Sequence, residues 1–268
     1  MRRSIGDRPG VMFHKRLGSV SVRDEELSLR IVSDDHPLCE LAARLWLDVY
    51  GDEFGYLRSC DDDSSPVTRG RRSMVILALL GERCVGSLRM AYKKHTPSEF
   101  EFEHCPAGLE GELGALSRLV VAREFRKTTL SLHMLSLCHK FHRECSEASR
   151  YDHVLVTCAP EMLHFYRTFG FELARPDFVK SSTFTDELFL VRCSRATNDR
   201  MVALIDRVLA GDSLAKAQMA VRYQYFKLAS SLDPRVRAAR LRTRAEREGA
   251  EGRARVARAS ESVRGAAG

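Results

Sequence analysis

No apolar stretch of this 268-residue sequence is long enough to cross a bilayer; the longest, Met74 to Leu80, falls far short of about 20 residues. The opening MRRSIGDRPGVMFHKR is basic but has no apolar core of the kind a secretion signal needs. Eight cysteines are scattered without paired spacing, which argues against a disulfide scaffold and predicts reduced thiols and a cytoplasmic protein. There is a single tryptophan, and no repeat at a fixed period. Glycine is missing where it would be most telling. In GALSRLVVAREFRKTTLSLHML (114–135) an apolar strand meets a basic turn and a helix start, the layout of a phosphate cradle, but the turn has no glycine.

The net charge of +7 is unevenly spread. Residues 235–268 hold ten Arg against four Glu, and residues 1–23 hold six Lys/Arg against one Asp, leaving −4 for residues 24–234. The basic character therefore belongs to the ends, and the middle is mildly acidic. The Arg-rich end has no aromatic residues for stacking on single strands, which argues against nucleic acid as a partner.

The pattern between the ends predicts one α/β domain. CELAARLWLDVY (39–50) reads as an amphipathic helix, and MVILALL (74–80) with CVGSLRMAY (84–92) as a hairpin. Residues 93–113 read as an irregular, acid-bearing connection. LSRLVVA (116–122), HVLVTCA (153–159) and ELFLVRC (187–193) read as strands, separated by helices over 129–148 and 160–170. The second of these helices starts at a proline and ends at a glycine. Strands alternating with helices predict a mixed sheet with helices on both faces. The expected division is a flexible basic leader over 1–26, a domain over 27–195, a helical extension over 196–233 and a disordered Arg-rich tail over 234–268.

Helix-spaced Cys138, His142 and Cys145, with His133 and His139, suggest a zinc site, but no fourth ligand comes from a second element, so no metal is expected. Cys39, Cys84, Cys158 and Cys193 lie in apolar contexts and read as small core residues.

APEMLHFYRTFGFE (159–172) resembles the ending of the GNAT acyltransferase superfamily, with Tyr166, Phe169, Gly170 and Phe171 in its Tyr-x-x-x-Gly-Phe run. VYGDEFGYL (49–57), Asp61 to Asp63, Gly86 and Arg89 in CVGSLRM, and Ser117-Arg118 in ALSRLVV follow in an order similar to acyl-homoserine-lactone synthases and the long-chain N-acyl amino acid synthases (FeeM-like). The resemblance spans about residues 38–193. It implies a GNAT-like sheet, an acyl thioester as co-substrate, no bound cofactor, and Tyr166 as the acid that protonates the departing thiolate. A phenol is protonated at neutral pH and suits that role. The same resemblance implies substrate binding by Arg89, Ser117, Arg118, Leu119 and Val121. The basic turn and helix start read as the place where Arg123, Arg126, Lys127, Thr128 and Thr129 meet the phosphate of a pantetheine arm, or as an ordinary solvated turn between strand and helix. Backbone N–H groups near a distortion in 118–121 would hold the carbonyl oxygen.

Two departures bear on the reaction. The lactone synthases usually carry Glu two residues before Ser-Arg, where this chain has Ala115, so the base falls to Glu112, or to Glu101 or Glu103; Glu112 is the one assigned here. The Arg expected four residues before Tyr50 is replaced by Trp46. Both favour plain amine N-acylation over lactone synthesis. Thr129 and Ser131 stand near where acetyl-CoA users have glycines, which favours an acyl carrier protein over CoA. The expected partners are thus an acyl carrier protein and a small-molecule amine. An acetyl-CoA-dependent N-acetyltransferase, an autoinducer synthase and a silent acyl-binding module remain the alternatives. Arg89 and Arg118 also read as strand residues paired with carboxylates, and Tyr166 as a packing residue.

Overall fold

The computed structural model describes residues 11–22, 25–57, 73–126, 128–144, 151–181, 184, 187–239 and 241–242. In chain order the strands are β1 (Val11–Val22), β2 (Glu25–Ser33), β3 (Met74–Leu80), β4 (Arg83–Tyr92), β5 (Leu113–Val121), β6 (His153–Cys158), β7 (Glu172–Leu173) and β8 (Phe189–Ser194). They form one sheet in the order β1-β2-β3-β4-β5-β6-β8-β7. The pairings are antiparallel except for β5 with β6.

The helices are α1 (Cys39–Leu47), α2 (Phe100–Glu103), α3 (Leu130–Glu144), α4 (Leu163–Thr168), α5 (Arg195–Leu209) and α6 (Ser213–Leu232). Alternation along the strands sorts them to two faces. Val75, Leu77 and Leu79 face α1 with Cys39 and Ala42, while Ala115 and Leu155 face α2 with Phe102. The intervening residues, such as Ile76, Ala78, Leu116 and Val154, face α3, α4 and α5. Gly86 of β4 permits that second layer to close. A Cβ there would stand 3.0 Å from Met134 Sδ and 3.3 Å from Ala78 Cβ, so α3 packs directly on the strand. Gly170, at φ +82°, ends the turn after α4 in a conformation that only glycine adopts without strain.

The mixed sheet with helices on both faces is as expected. Parts of the spans expected to form a leader and a tail hold regular structure. Val11–Val22 is a strand paired antiparallel to β2, and Glu25–Ser33 supplies Leu27, Leu29 and Ile31 to the core at period two. Residues 234–239 are helical, and Val236 and Ala239 are buried, so the Arg-rich end contributes to the core after all. Residues 1–10 and 243–268 lie outside the described residues, as do Asp61, Asp62, Asp63 and Cys145.

Candidate active site

The pairing of β5 with β6 runs from Leu113↔His153 to Leu116↔Val156 and stops, although β5 continues to Val121 and β6 to Cys158. The cause is a bulge in β5. Its register against β4 slips between Arg89↔Ser117 and Ser87↔Val120. At the slip Arg118 takes φ +54°, the left-handed region, and is the one non-glycine described residue there. A non-glycine residue in that conformation stores strain of about 1–3 kcal/mol, and such residues gather at functional sites. The distortion expected over 118–121 is thus present, and it leaves a wedge between the two strands.

Aromatic side chains close over the wedge. After α1 the chain continues as a π-helical turn, Asp48–Glu53, which places Tyr50 over β5. Its hydroxyl donates to the Leu119 carbonyl at 3.2 Å. Trp46 stacks on Tyr50, and the Arg118 guanidinium lies 5.3 Å from the Trp46 ring centre. The Tyr56 hydroxyl donates to Glu161. Burial pushes the Tyr50 phenol up to about 12.

Tyr166 enters from α4. It is 9% exposed, and burial, with the neighbouring Tyr50, Cys158 and Glu101, holds its phenol protonated well above the usual range. Behind it runs an apolar cleft lined by Met90, Leu116, Phe165, Phe171 and Met201, ending on His142 and Tyr151. The cavity within it is small, about 30 Å³. An acyl chain would enter by displacing flexible side chains such as Met90 and Met201.

The other residues singled out from sequence are placed as follows. Arg89 is buried and committed: its guanidinium donates to both Glu99 oxygens at 2.8 and 2.7 Å, and its Nε to Ser73 Oγ at 3.0 Å. Ser73 Oγ donates in turn to Asp34 at 2.7 Å, and burial raises the Asp34 carboxyl above the usual range. Arg89 is therefore a structural ion pair rather than a group open to substrate. Ser117 faces the same side as Arg89, and its buried hydroxyl has no partner among the described residues. Val121 offers its carbonyl to Arg126 Nε at 3.0 Å.

Glu112 is a correction. It directly precedes β5, its carbonyl receives the amides of Asp152 and His153, and its carboxylate is exposed. The wedge opens farther along the strand, after Leu116, about 15 Å away at roughly 3.3 Å per residue. The structure brings Glu101 to the wedge instead. The irregular connection contains a turn of helix, α2, and from it Glu101 accepts the Thr157 hydroxyl at 2.8 Å. Burial raises the Glu101 carboxyl above its ordinary range.

The basic turn is partly spent as well. Arg123 begins a short 3-10 turn, Arg123–Phe125, and is exposed. Arg126 is paired with Glu53 in a two-pronged contact and stacks on Phe54, so its charge is already answered within the chain. The Thr128 hydroxyl accepts the Leu130 amide at 3.2 Å and caps α3, while Thr129 is exposed. Lys127 lies outside the described residues. The histidine cluster is internal packing. Cys138 Sγ lies 3.5 Å from His142 Nε2, His142 bonds Tyr92, and no group of three metal-ligating side chains occurs among the described residues. Nor is any helix among them long and apolar enough to cross a membrane.

A strained bulge, a wedge beside it, a buried phenol at its edge and an apolar cleft behind suit a thioester held between strands. Among solved structures, one shares the fold at a TM-score of 0.50, and two others are less similar. FeeM, an N-acyl amino acid synthase from uncultured soil microbes, superposes with TM-score 0.50 at 13% identity, over 63% of this chain and 92% of that one. A CoA-dependent acyl-homoserine lactone synthase, BjaI, gives 0.46 at 20% identity, over 66% and 88%. An acyl-CoA N-acyltransferase from Pseudomonas aeruginosa gives 0.45 at 13%, over 63% and 99%. No curated protein matches the sequence. The family described as N-acyl amino acid synthase FeeM matches residues 42–193, more than half of the chain. The chain belongs to the FeeM family of N-acyl amino acid synthases and is an acyltransferase.

Proposed function

We propose that the protein transfers a long-chain acyl group from the pantetheine thioester of an acyl carrier protein to the amine of an amino acid. The observation that carries this reading is the wedge between β5 and β6, with Tyr166 at its edge and the apolar cleft behind it. An extended pantetheine arm fits unpaired strand backbone, because its amides can replace the missing ladder. Its thioester then lies at the bulge, where backbone N–H groups around Arg118 to Val121 stabilise the oxyanion. The acyl chain continues into the cleft, which an acetyl group would leave empty. The Tyr166 phenol supplies the proton for the departing sulfur.

The donor end is less demanding than a CoA site. With Thr128 used as a helix cap and Arg126 shared with Glu53, the turn offers Arg123, Arg126 and the first amides of α3. That set matches one phosphate better than a pyrophosphate with its nucleotide. At the acceptor end, Ser117 and Arg118 are proposed to receive the amino acid, Ser117 through its unsatisfied hydroxyl.

The test is incubation of the purified protein with long-chain acyl carrier protein, long-chain acyl-CoA or acetyl-CoA, each with a mixture of amino acids, followed by mass detection of N-acyl products. Products from the carrier-protein donor at the highest kcat/KM support the reading. Efficient turnover of acyl-CoA with none from the carrier protein overturns the donor assignment, and products from acetyl-CoA alone overturn the long-chain assignment.

A further inference from the structure

The wedge has two sides. Thr157 and Cys158 are successive residues of β6 and so point to opposite faces of the sheet. Tyr166 lies on the Cys158 side, with the apolar cleft. Glu101 reaches Thr157 from α2 on the other side, at 2.8 Å. The two groups still interact, since Glu101 is among the charges that act on the Tyr166 phenol. An acid and a carboxylate therefore stand on opposite faces of the sheet beside one opening, the acid on the Cys158 side and the carboxylate bonded to Thr157.

Glu101 is 4% exposed. A carboxylate so deeply buried usually has a cation for a partner. Here its described side-chain partner is a neutral hydroxyl, while the Arg89 guanidinium is forked onto Glu99. A second polar group waits nearby. Ser117 follows the last β5–β6 pair, Leu116↔Val156, as Thr157 does on its own strand, so the two flank the mouth of the wedge. The Ser117 hydroxyl is buried and has no partner among the described residues. Ala115 lies on this face too, in one cluster with Phe102, the residue after Glu101.

We infer that Glu101 is the catalytic base, which takes the proton of the incoming ammonium on the α2 side of the wedge. This rests on the acyl-transfer reading above. The ammonium gives one proton to the Glu101 carboxylate, and the freed lone pair forms the C–N bond as the carbonyl π pair moves onto oxygen. When that pair returns, the C–S bond breaks and the thiolate takes the Tyr166 proton. The second proton on nitrogen restores the phenol, and the proton on Glu101 leaves to water. The products are an amide and a thiol. The titratable and charged groups facing Glu101 are Glu99 on its own helix, Arg89 of β4 and Tyr166 of α4; β5 presents Ala115 and Ser117, and β6 presents Thr157, none of which titrates near neutrality.

Hydroxylamine tests this, because it is uncharged at neutral pH and needs no base before attack. With the carrier-protein donor, Glu101→Gln is expected to lower kcat for amino acids about 10²–10⁴-fold at pH 7, as loss of a general base does. The donor KM should hold, the rate should recover as pH rises, and transfer to hydroxylamine should stay within a few-fold of wild type. Thr157→Val, which removes only the hydroxyl that orients Glu101, should show the same selectivity more weakly. Glu101→Gln combined with Ala115→Glu should regain part of the amino-acid rate. Equal losses with both acceptors in Glu101→Gln and Thr157→Val, or no loss with either, overturn the assignment. A wild-type protein that acylates neither acceptor from acyl carrier protein or from acyl-CoA overturns the acyl-transfer reading itself, and the base with it.

Discussion

Arg89 and Glu99 form a two-pronged ion pair, at 2.8 and 2.7 Å, with both side chains almost wholly shielded from solvent. Two charges removed from water this completely repay their desolvation only while both are present. Arg89→Ala is therefore expected to lose about 3–5 kcal/mol of stability, because it strands the Glu99 carboxylate. Replacing both at once, by Arg89→Met with Glu99→Leu, is expected to cost much less. Urea denaturation of the three proteins checks this. If Arg89→Ala keeps full stability and loses only activity, Arg89 is a substrate ligand after all.

Tyr166→Phe keeps the ring and its packing against Phe165 and Phe171 while removing the proton donor. kcat is expected to fall about 10²–10⁴-fold. The donor KM should change little, because the hydroxyl acts on the leaving sulfur. A donor thioester with a better leaving group, such as a thiophenyl ester, should narrow the gap between variant and wild type. Steady-state kinetics with the two donors gives the answer.

His142 is buried beside Tyr92, and burial pushes its imidazole down to about 3. An unfolded histidine takes its proton near 6.5. Between those values the unfolded chain binds a proton that the folded chain refuses, so this residue's contribution is complete above about pH 6.5 and declines as pH falls toward 3. The urea midpoint should therefore drop between pH 7.5 and pH 5, and His142→Gln should show a smaller drop over the same interval.

Gly86→Ala places a methyl 3.0 Å from Met134 Sδ and 3.3 Å from the Ala78 Cβ. The flexible Met134 can shift, but the Ala78 methyl is fixed to a central strand. Overpacking of this kind costs about 1–3 kcal/mol. Thermal melting should show the loss, and Gly86→Ala with Ala78→Gly should recover part of it.

Periodicity exposed most of the elements that build the site. The hairpin, β5, β6, β8 and the helix from Pro160 carry strong apolar patterns with clear turn residues at their ends. Tyr166 was identifiable because its motif sits on one of these elements. β2 carries the same signal, with Leu27, Leu29 and Ile31 alternating, but it adjoins a basic segment with no apolar period of its own. Glu101 was harder to single out. Its helix is a single turn, Phe100–Glu103, too short to show a helical period, and the residue is picked from among Glu99, Glu101 and Glu103 only by its tertiary contact with Thr157. The sequence also could not show that Arg89 and Arg126 are spent on Glu99 and Glu53, because those pairs form between segments far apart or differently turned.

The most direct test of the account is product formation from a long-chain acyl carrier protein and an amino-acid mixture, compared between wild type and Tyr166→Phe. N-acyl amino acids from the wild type, with yields at least a hundredfold lower from a folded Tyr166→Phe protein, are the predicted result. Equal yields from the two proteins would contradict the placement of the chemistry at the wedge between β5 and β6.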